Sequence, residues 1–461
     1  MGVPNNADLK AKLRKLECPF TWDIEKHEIE DLDNTSEKLL DRVKFCPRKY
    51  HGTYLNILAF VSHMKGNNES ALEFLHKAEA TLKADKQVPT AFLVTYANFA
   101  WVHYQSGNLG DVGTYLCKLE EICKGVPGSS QYSCTLPVVH GEKAWTFLRL
   151  GAKYYKRAKV NFQKALEGDP ENVSFNIGYG VVLYRLEHMV QDDRLRSEES
   201  RRSEAVTQLR KALLLDPANA EVMVLLALKL QQSEESCELI KDALRLSPDV
   251  PQVMRYVAKY FRAERSTDAS LEVLGRALEQ APNSSFLHHQ IGLCHKQQLI
   301  EMLKEEREYH IRSPLKGAKV KECVHDFSKA VELKPTNIYA QVNLAEAYGD
   351  NQQLYEAEKI FTELLKDGSL READRQHVCT AYGLFLMYKK KAQDRAIAEF
   401  KSAYQIKIQS RDRKQAGAKL AQLGNRAGAA SQIQAFLRAE DKRISETEDL
   451  SAAFDRGMKF K

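Results

Sequence analysis

Small and bulky apolar residues recur along this chain in one fixed register. An Ala, Ser, Cys or Val is followed four residues later by a bulky apolar residue and seven later by Ala or Leu, nine times over. The sets are Ala71/Leu75/Ala78, Val112/Leu116/Leu119, Ala158/Phe162/Ala165, Ala205/Leu209/Ala212 and Ser236/Ile240/Ala243. They continue with Ser270/Leu274/Ala277, Cys323/Phe327/Ala330, Ala357/Phe361/Leu364 and Ala396/Phe400/Ala403. Spacings of three and four put each set on one stripe of a helix. The small residues let a neighbouring helix approach closely. In five sets a Pro stands five residues after the last member (Pro170, Pro217, Pro248, Pro282, Pro335), where its ring ends the helix.

This is the small-x3-large-x2-small-x4-Pro signature of the tetratricopeptide repeat, a pair of antiparallel helices. It predicts an all-α, tetratricopeptide-repeat superhelical solenoid of about nine repeats closing around a central channel, with a concave groove that holds a partner. The expected division is 1–50 as N-terminal helices packing on the channel, 51–250 and 251–407 as N- and C-terminal repeats, and 408–461 as capping helices and a tail. Leu9, Leu13, Leu16, Leu39, Leu40 and Val43 predict short amphipathic helices in the first segment. Unequal spacing of the repeats reveals insertions. A Gly/Ser/Pro-rich stretch near 124–140 reads as a loop, and a charged stretch near 188–203 as solvent-exposed. The third extends LIEMLKEEREYH until the break at Ser313-Pro314.

A chain of 461 residues usually forms two or more compact domains, but a solenoid buries each repeat only against its neighbours. Net charge is only +6, so nothing in the bulk announces nucleic acid, although a basic groove fits within a balanced surface. The nine cysteines show no CxxC pair, and Cys294 and Cys323 fall on core stripes, as expected of free thiols in a reducing compartment. The N-terminus lacks an apolar signal region, Asn6 breaks the myristoylation pattern begun by Gly2, and no apolar run reaches membrane-spanning length. A cytoplasmic protein is expected, with no membrane contact.

With the small residue of the motif set at position 20, positions 2, 5, 9 and 13 of the first helix share the concave face. Arg255 and His289 then fall at position 5 of successive repeats, and Phe286 and Tyr339 at position 2. Val181 and Arg185 fall at 9 and 13. Arg and His can pair phosphates while aromatic faces stack on bases, a combination suited to single-stranded nucleic acid. Taken singly, each has an ordinary structural reading: a solvated Arg, a packed His, an aromatic in the core.

The strings LECPFTW (16–22), EKAWTFLRLGAKYYKRAK (142–159), FNIGYGVVLYRLE (175–187), VMRYVAKYFR (253–262) and SSFLHHQIGLCHKQ (284–297) closely resemble the interferon-induced proteins with tetratricopeptide repeats. That resemblance covers essentially the whole chain. It implies a cytosolic antiviral protein that grips the 5′ end of single-stranded RNA in a basic central channel, taking either a 5′-triphosphate or a cap lacking 2′-O-methylation. It further implies a phosphate pocket within 51–250 and association with homologous members or with itself. Arg149 stands where the family has a phosphate-binding Lys. Tyr155, Arg185 and Arg255 match its phosphate contacts, and His289, Gln290 and Lys304 its contacts to the following nucleotides. Tyr339 replaces an aromatic that stacks near the tunnel mouth. Trp145 matches a tryptophan that stacks on a cap guanine, with Val181 beside it. Gln252 replaces a family Tyr. An insertion near 31–42 leaves Asp31 or Asp33 as alternatives, and aligns Lys38 and Arg42 with the tunnel, Arg42 replacing a Gln and adding charge. Either Trp145 packs between helices or it meets a cap; the Arg residues favour triphosphate.

A peptide-binding scaffold is the rival reading. The basic carboxylate clamp of chaperone adaptors is missing, since Asn56, Phe60, Ala97 and Trp101 occupy its positions. No GxxxxGK[ST], HExxH or GxSxG occurs, and His, Cys and acidic residues lack metal spacing, so no enzyme, cofactor or metal is expected.

Overall fold

The computed structural model describes residues 6–29, 31–190, 202–248, 250–280, 282–310, 314–408, 410–424 and 432–440. These residues form helices joined by turns, short 3₁₀ segments and one π-helical turn (Leu386–Lys390), and divide into two compact units, Met1–Glu264 and Arg265–Lys461. The first holds α1 (Asn6–Leu13), α2 (Leu32–Phe45), α3 (His51–Met64), α4 (Asn68–Ala84), α5 (Leu93–Gln105) and α6 (Leu109–Lys124). It continues with α7 (Pro137–Leu150), α8 (Tyr155–Gly168), α9 (Val173–Val190), α10 (Glu204–Leu215), α11 (Ala220–Lys229), α12 (Glu234–Leu246) and α13 (Pro251–Ala263). The second holds α14 (Thr267–Gln280), α15 (Ser285–Tyr309), α16 (Lys316–Leu333), α17 (Ile338–Asp350), α18 (Leu354–Lys366), α19 (Glu372–Phe385), α20 (Gln393–Gln405) and α21 (Arg411–Gly424).

The nine small-large-small sets lie on the even-numbered helices from α4 to α20, each the second member of a pair. The repeat architecture expected from the sequence is the one observed. Phe162, Phe327, Phe361 and Phe400 are fully buried together with the alanines beside them. Two sets begin with Ser, and the buried hydroxyls find partners: Ser236 Oγ lies 2.8 Å from the Tyr260 hydroxyl and Ser270 Oγ 3.1 Å from Cys294 Sγ.

The turns follow from three residues. In α8, α10, α12, α14 and α16 the last helical residue stands two before the Pro of its set. In four of these five turns an Asn or Ser two residues past the Pro caps the next helix. Asn172 accepts from Phe175 N at 3.1 Å, Asn219 from Val222 N at 3.1 Å, Ser284 from Leu287 N at 3.3 Å and Asn337 from Ala340 N at 3.2 Å. The chain thus reverses in a few residues and the paired helices lie side by side.

Ahead of the repeats, Leu9, Leu13 and Leu16 are buried, and the Leu13 carbonyl accepts from Trp101 Nε1 at 3.2 Å. Leu39 is buried on α2 but Leu40 is exposed, because the inward stripe runs through Leu39 and Arg42, three residues apart. The loop expected near 124–140 spans 125–136 between α6 and α7, and Pro137 already opens α7. Of the charged insertion near 188–203, residues 191–201 fall outside the described residues. After α21 a further helix spans 432–440, and the tail from 441 falls outside them.

Close packing against the repeat phenylalanines demands glycine. A Cβ at Gly178 would lie 2.2 Å from Phe162 Cζ, and Gly292 and Gly383 face Phe327 and Phe400 at 2.6 Å. Gly178→Ala is expected to destabilise the first unit by about 1–3 kcal/mol through overpacking. A urea-denaturation midpoint equal to wild type would contradict this packing.

Candidate functional site

One stripe of α2 faces a cavity. Asp31 caps the helix, accepting from Asn34 N at 2.9 Å, and Thr35, Lys38, Leu39 and Arg42 follow on the face toward the cavity. Opposite stands the end of α7, which stops at Gly151 with φ 128° and ψ −178°. That region is open only to glycine, and it lets the chain turn sharply between Arg149 and Tyr155. Arg185 on α9 and Gln252, Arg255 and Tyr256 on α13 complete the wall. The cavity holds about 320 Å³, at the small end of the range for ligand pockets.

Segments from residues 31 to 256 therefore place four guanidiniums and Lys38 around one space within the first unit. Arg185 Nη1 donates to the Tyr155 hydroxyl at 2.7 Å. Arg149 Nη2 donates to the Tyr54 hydroxyl at 3.3 Å, and its guanidinium lies 5.5 Å from the Tyr54 ring and 4.7 Å from the Trp145 ring. Its Nε–H is buried with no acceptor. Among the described residues, no carboxylate forms an ion pair with Arg149 or Arg185. Burial lowers the pKa of Arg149, aided by the neighbouring Arg42 charge, and burial likewise lowers that of Arg255.

Arg42 differs from the others. Its Nη1 and Nη2 donate to the two oxygens of Glu221 at 2.9 and 2.8 Å, a bidentate pair whose side chains are 7% and 16% exposed. Arg42 lines the cavity, and Glu221 balances the charge that the sequence expects it to add. Glu221 sits in the first turn of α11, where the helix dipole favours an anion. Burial opposes its ionisation, yet Arg42, with Arg149 and Arg185 nearby, holds the carboxyl down to about 2.

The remaining candidates lie elsewhere. Asp33 is exposed and pairs with Lys65 at 2.5 Å, whereas Asp31 lines the cavity. Trp145 and Val181 are 5% and 1% exposed, in the packing of the first unit, and neither lines the cavity. Phe286, His289, Gln290, Lys304 and Tyr339 belong to the second unit. His289 is buried, with Nε2 3.0 Å from Asn343 Nδ2; Gln290 is buried beside it, and Phe286 is half-buried. Lys304 is exposed on the long helix α15, and the exposed Tyr339 ring lies 4.7 Å from that of His377. Tyr256, Thr35 and Glu221 were not anticipated. The signal for Glu221 was present: counted from Ser236, it occupies position 5, as Arg255 does one repeat later.

The Glu221 pair makes acid stability testable. A depressed carboxyl stabilises the fold fully above its unfolded value of ~4.3, and this is lost as pH falls toward about 2. Glu221→Gln is therefore expected to lower unfolding free energy at pH 7 by about 3 kcal/mol. The gap to wild type should narrow in urea titrations from pH 5 to pH 3; a constant gap would refute the assignment.

No family model matches the chain. Human antiviral innate immune response effector IFIT1 is 37% identical over 408 residues, covering 86% of this chain and 84% of that protein. Human interferon-induced protein with tetratricopeptide repeats 2 is 33% identical over 477 aligned positions, covering 99% of this chain and 97% of that protein. Among solved structures, the human IFIT1 dimer with PPP-AAAA is similar with a TM-score of 0.74 at 33% identity, covering 98% of this chain and 99% of that chain. The human IFIT1 dimer with m7Gppp-AAAA is similar with a TM-score of 0.74 at 36% identity, covering 91% of each. Sequence identity over nearly the full length of these relatives, together with the shared repeat architecture, establishes that the chain belongs to the interferon-induced proteins with tetratricopeptide repeats.

Proposed function

We propose that this chain is an antiviral RNA-binding protein that holds the 5′ end of single-stranded RNA in the α2–α7–α9–α13 cavity and sequesters it. The observation that carries the reading is the pair Arg149 and Arg185, turned toward a small cavity, whose hydrogen-bond partners among the described residues are hydroxyls. Buried like charges are costly without a counter-charge. A 5′-triphosphate supplies it, accepting from guanidinium forks in charge-assisted bonds that offset its own desolvation. Arg149 Nε–H, buried and unsatisfied, is a donor for such an oxygen. Likeness to IFIT1 structures that hold PPP-AAAA and m7Gppp-AAAA supports the same ligand class.

In this reading Arg149, Tyr155, Arg185 and Arg255 bind the phosphates, with Lys38 and Gln252 at the rim. Phe286, His289, Gln290, Lys304 and Tyr339 are proposed as RNA contacts on the second unit. The protein acts by binding and uses no cofactor or catalytic step. No helix among the described residues is long and apolar enough to cross a membrane. The proposed compartment is the cytosol, in keeping with nine free cysteines. Self-association or pairing with homologous members belongs to the same proposal, supported by the dimeric IFIT1 structures.

The direct test compares one RNA bearing 5′-triphosphate or 5′-hydroxyl ends in filter binding. Triphosphate RNA should bind far more tightly, and equal affinities would defeat the reading. Arg185→Glu or Arg255→Glu should abolish that preference while the helical circular-dichroism signal persists; unchanged affinity would remove those residues from the site. Affinity should also fall roughly tenfold to fiftyfold between about 50 and 200 mM salt, as expected when three or four cations meet single-stranded phosphates. A flat salt profile would favour a peptide-binding scaffold instead.

A further inference from the structure

Relatives of this chain are seen with both triphosphate and capped ends, and the two make different demands on the cavity. A triphosphate needs only the space between the guanidiniums. A capped end carries a further guanosine past the phosphates and needs a flat apolar face for its base.

In this chain the indole behind Arg149 is closed as such a face. The Trp145 indole is 5% exposed, and its Nε1 donates to Ser174 Oγ at 3.0 Å. Phe162 stands edge-on to it at 5.5 Å, Tyr54 likewise at 6.3 Å, and the Arg149 guanidinium covers it at 4.7 Å. Arg149 is itself lodged against Tyr54, and the opposing Arg42 lies 5.8 Å from the same Tyr54 ring. Arg42 cannot swing aside without breaking both hydrogen bonds to Glu221. Each Glu221 oxygen accepts one bond from Arg42. Arg42–Glu221, Tyr54, Arg149 and Trp145 form one packed layer, and Arg42 and Arg149 present its cavity side.

We infer that the Arg42–Glu221 pair is a specificity lock: it ends the cavity at the phosphates, so the protein selects 5′-triphosphate RNA and excludes 5′-capped RNA. This rests on the RNA-end reading above. The pair neutralises itself, leaving Arg149 and Arg185 to meet the phosphate charge. Opening the layer for a base requires separating two buried opposite charges, whereas admitting a triphosphate requires no rearrangement of the pair.

The test uses the full chain and one short RNA bearing 5′-triphosphate, Gppp, m7Gppp or hydroxyl ends, read by fluorescence anisotropy. Wild type should prefer triphosphate over both caps by at least about a hundredfold, the scale of breaking a buried ion pair. Capped RNA binding within threefold of triphosphate RNA would overturn the lock whatever any variant does. The second measurement is the triphosphate-to-cap ratio in Arg42→Ala/Glu221→Ala, made together so that no unpaired charge stays buried. That ratio should fall at least tenfold in protein whose helical circular-dichroism signal matches wild type. A ratio unchanged from wild type would overturn the assignment of the lock to this pair. If hydroxyl-ended RNA binds wild type as tightly as triphosphate RNA, the RNA-end reading has failed, a result distinct from loss of discrimination between triphosphate and cap.

Discussion

Gathering positive charge where water is scarce is the constraint on which the first unit depends. Arg42, Arg149, Arg185 and Arg255 face one small cavity, and their mutual repulsion is weakly screened there. The fold meets this in two ways. One guanidinium is matched to a carboxylate, Glu221, in a bidentate pair. Two others rest on phenols: Arg149 on Tyr54 and Arg185 on Tyr155, whose hydroxyl oxygens accept and whose rings lie about 5.5 Å from the cation. The helices carrying these groups are fixed by packing remote from the cavity, so the charges cannot relax apart.

That remote packing is the repeat itself. Phe162 secures α8 against Gly178 of α9, which sets the relative height of Tyr155 and Arg185. The backbone at Gly151 sets the distance between Arg149 and Tyr155. Further out, Arg157 donates to the carbonyls of Trp22 and Asp23 at 2.6 and 2.9 Å, and the Tyr154 hydroxyl donates to Glu28 at 2.5 Å. These bonds pin the segment leading into α2 onto α8 and so deliver the α2 stripe to the cavity.

The architecture was legible in the sequence because every repeat states it again. Small residues, bulky residue and proline obey one spacing, and helix ends followed from Pro without knowledge of neighbours. The site was legible in part. Arg185 and Arg255 announced themselves through groove positions, and Arg149 and Tyr155 through likeness to a family. What could not be read was pairing across the cavity. Arg42 and Glu221 are 179 residues apart, so a charge that looked available was already matched. Asp31 and Asp33 differ only in which one caps α2, a distinction of helix phase that spacing left open. Leu40 looked as apolar as Leu39, and the same phase decided between them.

The order in which the cavity wall is written along the chain has a consequence for synthesis. Asp31 comes near the beginning, Arg149 and Tyr155 in the middle, and Arg255 and Tyr256 last, just before the first unit ends at Glu264. A nascent chain that has not yet released α13 lacks one wall, although most of its repeats already stack on their neighbours. The solenoid accumulates repeat by repeat from the N-terminus, whereas the cavity is completed in one late step. A half-made chain therefore carries three of the four guanidiniums without the wall that encloses them.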